Sequence, residues 1–181
     1  FVSAVAESVG TQGRFVHYGM TSSDILDTAL SLQIREGACQ LLKVIMALDE
    51  ALLEIVKKHK TTLCAGRTHG IHAEPTSFGY KMLGFLLELR RNRERLSEAI
   101  GQMVVGKLSG AVGTHSFLGR EFEQRVCRKL ELNPEAVATQ VIPRDRHAQV
   151  IQALSFLACG LERLAVELRH LQRTEVGEVC E

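Results

Sequence analysis

The chain of 181 residues contains no tryptophan and only three prolines, and aromatic residues make up 5% of it. It also lacks any long run of alternating apolar and polar residues, which excludes an extended half-buried sheet. Leucine, alanine, glutamate and arginine are abundant instead, and 45% of the residues are hydrophobic. This composition predicts an all-α fold with a sizeable core.

An excess of charge of either sign is also absent, since the formal net charge is +1 with acidic and basic residues interspersed. The chain therefore has no electrostatic footprint for nucleic acid or for an anionic membrane surface. The long apolar segments carry charges, which argues against a membrane span, and no signal peptide is recognisable. We expect a small-molecule partner, neither nucleic acid nor membrane as partners, and a cytoplasmic location.

Paired cysteine motifs are missing as well. The five cysteines are widely spaced without a Cys-x-x-Cys pair, so we expect them to be reduced. The spacing of His69 and His72 could suggest metal ligation, but Gly70 weakens the helix that would bring both rings to one face. Because no second Cys/His cluster completes a tetrahedron, we predict no metal site.

Three long segments carry an unbroken helical periodicity of apolar residues. They run from Ile25 to about Lys58, from Pro75 to about Val104 and from Arg144 to about Cys180. The first would span roughly 50 Å at ~1.5 Å per residue, a length of apolar surface that one small domain cannot cover. The pattern predicts long antiparallel helices that form part of a multi-subunit helical bundle.

The domain organisation follows from these segments. We assign residues 1–20 to the end of an N-terminal helical domain and its connection, and residues 21–181 to a central long-helix bundle domain. Phe1 begins within a helical pattern and is not a methionine, and Glu181 ends within a charged helical run. We therefore expect the chain to be a piece of a larger protein.

A polar loop, Gly66–Thr76, separates the first two long segments. It combines an arginine, two threonines, two histidines and a glutamate with glycines that allow close approach of a ligand. Imidazole groups titrate near neutral pH, which suits His69 to binding or proton transfer. A histidine between helices is more often structural, however, and His72 is the weaker of the two candidates.

Two further clusters could serve a ligand. Thr21–Asp24, which follows His17, either caps the next helix or receives an anion together with the backbone N–H groups at the helix start. Gln140, in an extended connection, offers a donor and an acceptor together, unless its amide only faces water. The glycine-rich stretch 106–115 could suggest a phosphate loop, but the Walker pattern is absent, so we expect a tight turn.

Four segments resemble the fumarase/aspartase superfamily, and within it the bacterial branch that cleaves adenylosuccinate. They are His17–Ala29, Gly66–Thr76, Lys107–Thr114 and Arg144–Ala148. The resemblance implies β-elimination of fumarate from adenylosuccinate, giving AMP, and from the succinylated aminoimidazole carboxamide ribotide, giving AICAR, in purine biosynthesis. It also implies catalysis without a cofactor, in a homotetramer whose sites are shared between subunits.

The same resemblance implies a role for each candidate residue. His69 matches the general acid that protonates the departing nitrogen. Thr21 and Ser22 match residues that hold a substrate carboxylate or phosphate, Gln140 matches a substrate-binding glutamine, and His17 matches a second histidine lining the site. The serine that acts as general base and the phosphate-binding arginines match nothing in this chain and are expected after its last residue. We therefore expect this piece alone to be inactive.

Two alternatives stay open. One is a sibling lyase that acts on argininosuccinate or another fumarate-yielding substrate. The other is a non-catalytic helical-bundle interaction module whose polar loops only cap helices. The loops argue against the module, since a scaffold has no reason to place Thr-His-Gly-x-His and Thr-Ser-Ser-Asp at the ends of its helices.

Overall fold

The computed structural model describes residues 2–180, and most of these residues are helical. The α-helices within them are α1 (Val2–Val9), α2 (Ser22–Lys58), α3 (Phe78–Met103), α4 (Arg120–Lys129) and α5 (Asp145–Leu171), with a 3-10 helix at Gly10–Phe15. The strands are β1 (Leu63–Thr68), antiparallel to β2 (Ile71–Ser77), and β3 (Val105–Gly106), parallel to β4 (Asn133–Pro134). With only these two small sheets among the described residues, the predicted all-α class is confirmed.

The chain divides into two compact units. Within the described residues, unit 1 contains residues 2–37 and 100–147, and unit 2 contains residues 38–99 and 148–180. The boundaries of both units fall within helices α2, α3 and α5, so each of these helices contributes residues to both units. The domain boundary that we place after residue 20 stays a prediction.

Within unit 2, α3 and α5 run antiparallel. Lys81 Nζ lies 2.5 Å from Glu167 Oε1, and further along both helices Asn92 Nδ2 donates to the carbonyl oxygen of Phe156 at 3.1 Å. Higher residue numbers in α3 therefore meet lower residue numbers in α5. This direction agrees with the arrangement predicted from the periodicity.

Apolar side chains at helical spacing build the core of unit 2. Those that are buried include Ile45, Leu52, Met82, Leu86, Leu89, Leu96, Ala153 and Leu157. Burying each leucine or isoleucine contributes about 1.5–3 kcal/mol. At the edge of this core Arg90 donates to both carboxylate oxygens of Asp49, at 2.7 and 2.8 Å. That hydrogen bonding lowers the pKa of Asp49 from its ordinary value, against the opposing effect of partial burial.

The second long helix begins later than predicted. Pro75, which we placed in the first helical turn, lies in β2 opposite Ala65, and α3 begins at Phe78. A register shift between Ala65 and Arg67 interrupts the ladder at this point. A proline is tolerated there because an irregular ladder position does not need its missing N–H.

The third long helix ends earlier than predicted. We expected it to reach about Cys180, but α5 ends at Leu171 and the chain turns back. Gly177, with φ +58, donates its N–H to the carbonyl oxygen of Arg173 at 2.8 Å, and Glu178 N donates to the carbonyl oxygen of Leu171 at 3.0 Å. Gly177 thus closes a turn six residues after Leu171 with a left-handed backbone that glycine adopts readily, so the helical periodicity does not continue as helix beyond Leu171.

Among the described residues, α5 is the one helix long and apolar enough to cross a membrane by length and composition alone. Only 17% of its most apolar window is buried. Its exposed apolar side chains include Ile151, Phe156 and Leu161. A core helix of a helical bundle passes the same test, so this property is weak evidence for a span.

Candidate active site

The hairpin of β1 and β2 places His69 at its tip. Thr68 pairs with Ile71, so His69 and Gly70 form a two-residue turn with φ of +55 and +75. Positive φ at both central residues is the condition for a type I′ turn, which suits the twist of a hairpin. For a residue with a Cβ this backbone costs about 1–2 kcal/mol. The fold therefore holds an exposed histidine in a conformation that asparagine or glycine adopts more readily.

Contacts at two places, one on β1 and one at the base of the strands, fix this hairpin. Arg67 donates from Nη1 and Nη2 to the two carboxylate oxygens of Glu178, at 3.0 and 2.5 Å. The hydrogen bond from Arg67 lowers the pKa of Glu178, and partial burial opposes the shift. At the base of the hairpin, Phe78 N donates to the carbonyl oxygen of Thr62 at 2.9 Å. The strands that carry His69 are thus tied both to the helix that follows them and to the end of the chain.

A cavity of about 660 Å³ lies beside the hairpin in unit 2. Its lining residues are mostly polar or charged and include Arg67, His72, Lys81, Glu167, His170 and Arg173. His72, the weaker candidate in the sequence, therefore faces a cavity. Within residues 2–180 no three His, Cys, Asp or Glu side chains gather in the way that a metal ion requires.

Unit 1 holds the other predicted site residues at the start of α2. Thr21 N donates to Asp24 Oδ2 at 2.9 Å, which is the backward half of a capping box. The N–H of Asp24 donates to the carbonyl oxygen of Thr21 at 3.1 Å, so the Thr21 hydroxyl is left to accept a hydrogen bond from Gln140 Nε2 at 3.3 Å. Ser22 is exposed as the first residue of α2. The structure thus brings Thr21 and Gln140, 119 positions apart, into contact.

The segment that carries Gln140 is anchored to α2 by Asp27, which is buried. Asp27 Oδ2 accepts the N–H of Ile142 at 2.8 Å, and its Oδ1 accepts from Arg144 Nη2 at 3.0 Å. Arg144 also contacts His147, whose pKa is lowered mainly by burial and then by this arginine. These contacts fix the position of Gln140 relative to the start of α2.

Sequence reasoning missed a buried ion pair beneath the same helix start. Lys107 Nζ lies 2.5 Å from Asp24 Oδ1, and neither side chain is accessible to solvent. Lys107 Nζ also donates to the carbonyl oxygen of Gly110 at 2.8 Å. The two charges are 83 positions apart, so no local spacing could reveal the pair. A lysine within a glycine-rich loop was the one visible signal.

His17 lies in the turn before this helix. It is exposed, has φ +66, and accepts the N–H of Met20 through its carbonyl oxygen at 3.2 Å. His17 and His69 are therefore two of the four residues other than glycine with positive φ in the described part of the chain. Residues with strained backbone are concentrated at functional sites, which supports both histidines as candidate site residues. The roles of His17, Thr21, Ser22, His69 and Gln140 stay predictions.

Long antiparallel helices with polar loops at their ends define the class of protein. Residues 2–181 match the profile of the family described as Lyase, and the chain belongs to that family. This confirms the resemblance to the fumarase/aspartase superfamily that the four sequence segments indicate.

Within this family, the chain is similar to particular enzymes of known name. The chain is 50% identical over 181 residues to the adenylosuccinate lyase of Thermotoga maritima, covering 100% of this chain and 42% of the relative. It is 45% identical to that of Bacillus subtilis, with the same coverage. Among solved structures, a fumarate lyase from Mesorhizobium sp. BNC1 matches with a TM-score of 0.93 and 35% identity, covering 99% of this chain and 43% of that one. The chain thus spans about 42% of the length of the curated relatives that it matches.

Proposed function

We propose that this chain is the central part of an adenylosuccinate lyase. That enzyme would cleave adenylosuccinate to AMP and fumarate, and the succinylated aminoimidazole carboxamide ribotide to AICAR and fumarate, in purine biosynthesis. The observation that carries the proposal is the identity of 45–50%, over all 181 residues, to four adenylosuccinate lyases. A solved lactonizing enzyme from Pseudomonas putida is less similar, at 30% identity with a TM-score of 0.90.

The reaction requires a base and an acid. The base removes a proton from the succinyl carbon, the C–N bond breaks as the C=C bond forms, and the departing nitrogen takes a proton from the acid. We assign the acid to His69, because an imidazolium can donate a proton near neutral pH and return to the neutral ring. Its exposed place at the tip of a fixed hairpin supports this role. We assign the base to the serine that the superfamily resemblance expects after residue 181.

The substrate anions are assigned to the start of α2. Thr21, Ser22 and Gln140 supply hydroxyl and amide groups, and the N-terminus of a 37-residue helix adds N–H groups and a favourable dipole. The hydrogen bond from Gln140 to Thr21 supports a common subsite for these side chains. His17, four positions before Thr21, is assigned to the same wall.

The site is proposed to be shared between subunits of a homotetramer. Helix α2 is unbroken over 37 residues, roughly 55 Å at ~1.5 Å per residue, with Thr21 before its first turn and the His69 hairpin after its last. This length supports a site in which His69 and Thr21 come from different copies of the chain. Exposed apolar side chains on α2 and α5, including Val44, Met46 and Ile151, support symmetric burial against other subunits. A cytoplasmic location and catalysis without a cofactor complete the proposal.

An exchange enzyme tests this function. In it, the matching segment of the Thermotoga maritima adenylosuccinate lyase is replaced by these 181 residues. We expect it to release fumarate from adenylosuccinate at a rate within about tenfold of the parent, and to leave argininosuccinate and 3-carboxymuconate unchanged. Its mass by light scattering and its helical circular dichroism establish that it is assembled. An assembled exchange enzyme that prefers argininosuccinate, or that releases no fumarate, would overturn the proposal.

A further inference from the structure

A groove in unit 1 is not used by the mechanism proposed above. It encloses about 440 Å³, and its lining includes Met20, the residue immediately before Thr21. The rings of Tyr18 and Phe117 and the side chain of Val112 form apolar parts of its wall, and the hydroxyl groups of serine and threonine form the polar part. None of the lining residues carries a formal charge. A neutral groove with aromatic walls and a few hydroxyl groups is typical of a site for a small uncharged ring.

The glycine-rich loop below this groove is not built to hold a phosphate. Lys107, its one cation, is fully buried and bound to the Asp24 carboxylate. The N–H of Gly110 already points at that carboxylate, with distances of 3.3 and 3.2 Å to its two oxygens. Because the charge and this backbone donor are both occupied internally, the loop offers hydroxyl groups to a ligand and no net positive charge.

Ser109 supplies an unpartnered polar group in the groove lining. The residue is 4% exposed, and its Oγ has no hydrogen-bond partner. The backbone is satisfied separately, since the carbonyl oxygen of Ser109 accepts the N–H of His115 at 2.9 Å. A buried hydroxyl without a partner costs free energy, so such a group calls for an explanation. The Oγ atom itself is buried, so a ligand atom can bond to it only when the Ser109 side chain rotates towards the groove, and such a bond would remove the cost.

Close backbone contacts fix the two sides of the groove. A Cβ at Gly113 would lie 1.9 Å from the carbonyl oxygen of Ala138, so only glycine allows the loop to pack against the segment that leads to Gln140. A Cβ at Gly19 would lie 2.9 Å from Cβ of Phe117, which holds the Tyr18 segment against the opposite wall. The groove is thereby formed before any ligand binds. The rings of Tyr18 and Phe117 are nevertheless 63% and 78% exposed.

We propose that this groove binds the uncharged heteroaromatic ring of the nucleotide substrate, the purine or its imidazole precursor. Tyr18 and Phe117 contact the faces of the ring, and the Ser109 hydroxyl recognises its edge, where heteroaromatic rings present both donors and acceptors. The identity of the ring rests on the proposed function. The inference that a neutral ring binds here rests on the groove itself.

The test uses adenosine, a nucleoside without phosphate or succinyl group, titrated by calorimetry into the exchange enzyme. Phe117→Ala should weaken adenosine binding by about tenfold, the usual effect of removing one stacking ring. Phe122→Ala, which removes an exposed ring on α4 outside the groove lining, is the matched control and should leave binding unchanged. Ribose 5-phosphate, titrated in parallel, should be insensitive to Phe117→Ala.

The variant Ser109→Ala distinguishes a ligand-binding role of this hydroxyl from a purely structural one. It should weaken adenosine binding by about fivefold while leaving Tm unchanged or higher, because the hydroxyl has no partner in the free protein. A variant that lowers Tm and leaves binding intact would show a structural hydroxyl and overturn the assignment. Absence of adenosine binding, or an equal loss of adenosine affinity in Phe122→Ala and Phe117→Ala, would contradict the proposal that this groove binds the ring.

Failure of the groove and failure of the proposed function give different results. If adenosine binds and Phe117→Ala weakens it while no fumarate is released, the groove inference stands and the lyase assignment is wrong. If fumarate is released and Phe117→Ala and Ser109→Ala both leave KM for adenylosuccinate unchanged, the lyase assignment stands and the groove inference is wrong.

Discussion

Replacing His69 with asparagine separates catalysis from folding at the tip of the hairpin. His69 has φ +55 in a two-residue turn, and asparagine tolerates this left-handed region better than most residues do. His69→Asn should therefore leave the free energy of unfolding unchanged or raise it by up to about 1 kcal/mol. The same change removes the proton donor, which is typically worth about 10²–10⁴ in rate, or roughly 3–5 kcal/mol of transition-state stabilisation.

The expected result is a variant that folds at least as well as the parent and turns over at least about 10²-fold more slowly, with little change in substrate affinity. The assays are urea denaturation and steady-state fumarate release, both in the exchange enzyme. His69→Val is the matched control, since a β-branched residue at positive φ should destabilise the hairpin. A near-normal kcat in His69→Asn would remove His69 from the acid role. A large loss of stability would refute the strained-turn interpretation.

Two further predictions concern charges that hold the site. Lys107→Met leaves the Asp24 carboxylate buried and unpaired, so unfolding by urea should show a loss of about 3–5 kcal/mol, and a loss below about 1 kcal/mol would contradict the importance of the pair. Glu178 has a pKa lowered by Arg67, so its stabilising contribution is complete above the unfolded-state pKa and is lost as the pH falls through the lowered folded-state pKa. Arg67→Met should therefore be less stable than the parent near neutral pH, and the difference should shrink as the pH falls below about 4.3, the ordinary glutamate pKa, and vanish below the lowered folded-state pKa. A difference that persists in acid would contradict this linkage.

The long helices could be predicted from the sequence because their evidence is local. Apolar residues at helical spacing define α2 almost to its observed end at Lys58. The same reasoning placed the start of the second long helix wrongly at Pro75, which lies in β2. The pairing of β1 with β2 depends on contacts that the periodicity of apolar residues does not reveal. A Cβ at Gly66 would lie 2.4 Å from the carbonyl oxygen of Glu74, so the close approach of β1 and β2 depends on glycine. The turn at His69 requires a backbone conformation that histidine seldom adopts.

The candidate site, like the fold, could be predicted from the sequence only in part. Thr21 stood out as a polar residue before a helix start and Gln140 as an amide in an extended connection, but only the fold brings their side chains to 3.3 Å. The ion pair of Lys107 with Asp24 could not be predicted, since its members are 83 positions apart and each has plausible local partners. The groove beside Phe117 depends likewise on backbone packing between distant segments. Residue types are therefore readable from the sequence, whereas their pairing depends on the long-range fold.

The central claim is that His69 of one subunit acts on a substrate held by Gln140 and Thr21 of another. Mixing two nearly inactive forms of the exchange enzyme, one carrying His69→Asn and the other Gln140→Ala, tests it most directly. Hybrid tetramers would contain some sites with both residues intact, so fumarate release should rise well above that of either form alone. If native mass spectrometry shows hybrids and activity does not rise, the site does not combine these residues from different subunits, and the account is wrong.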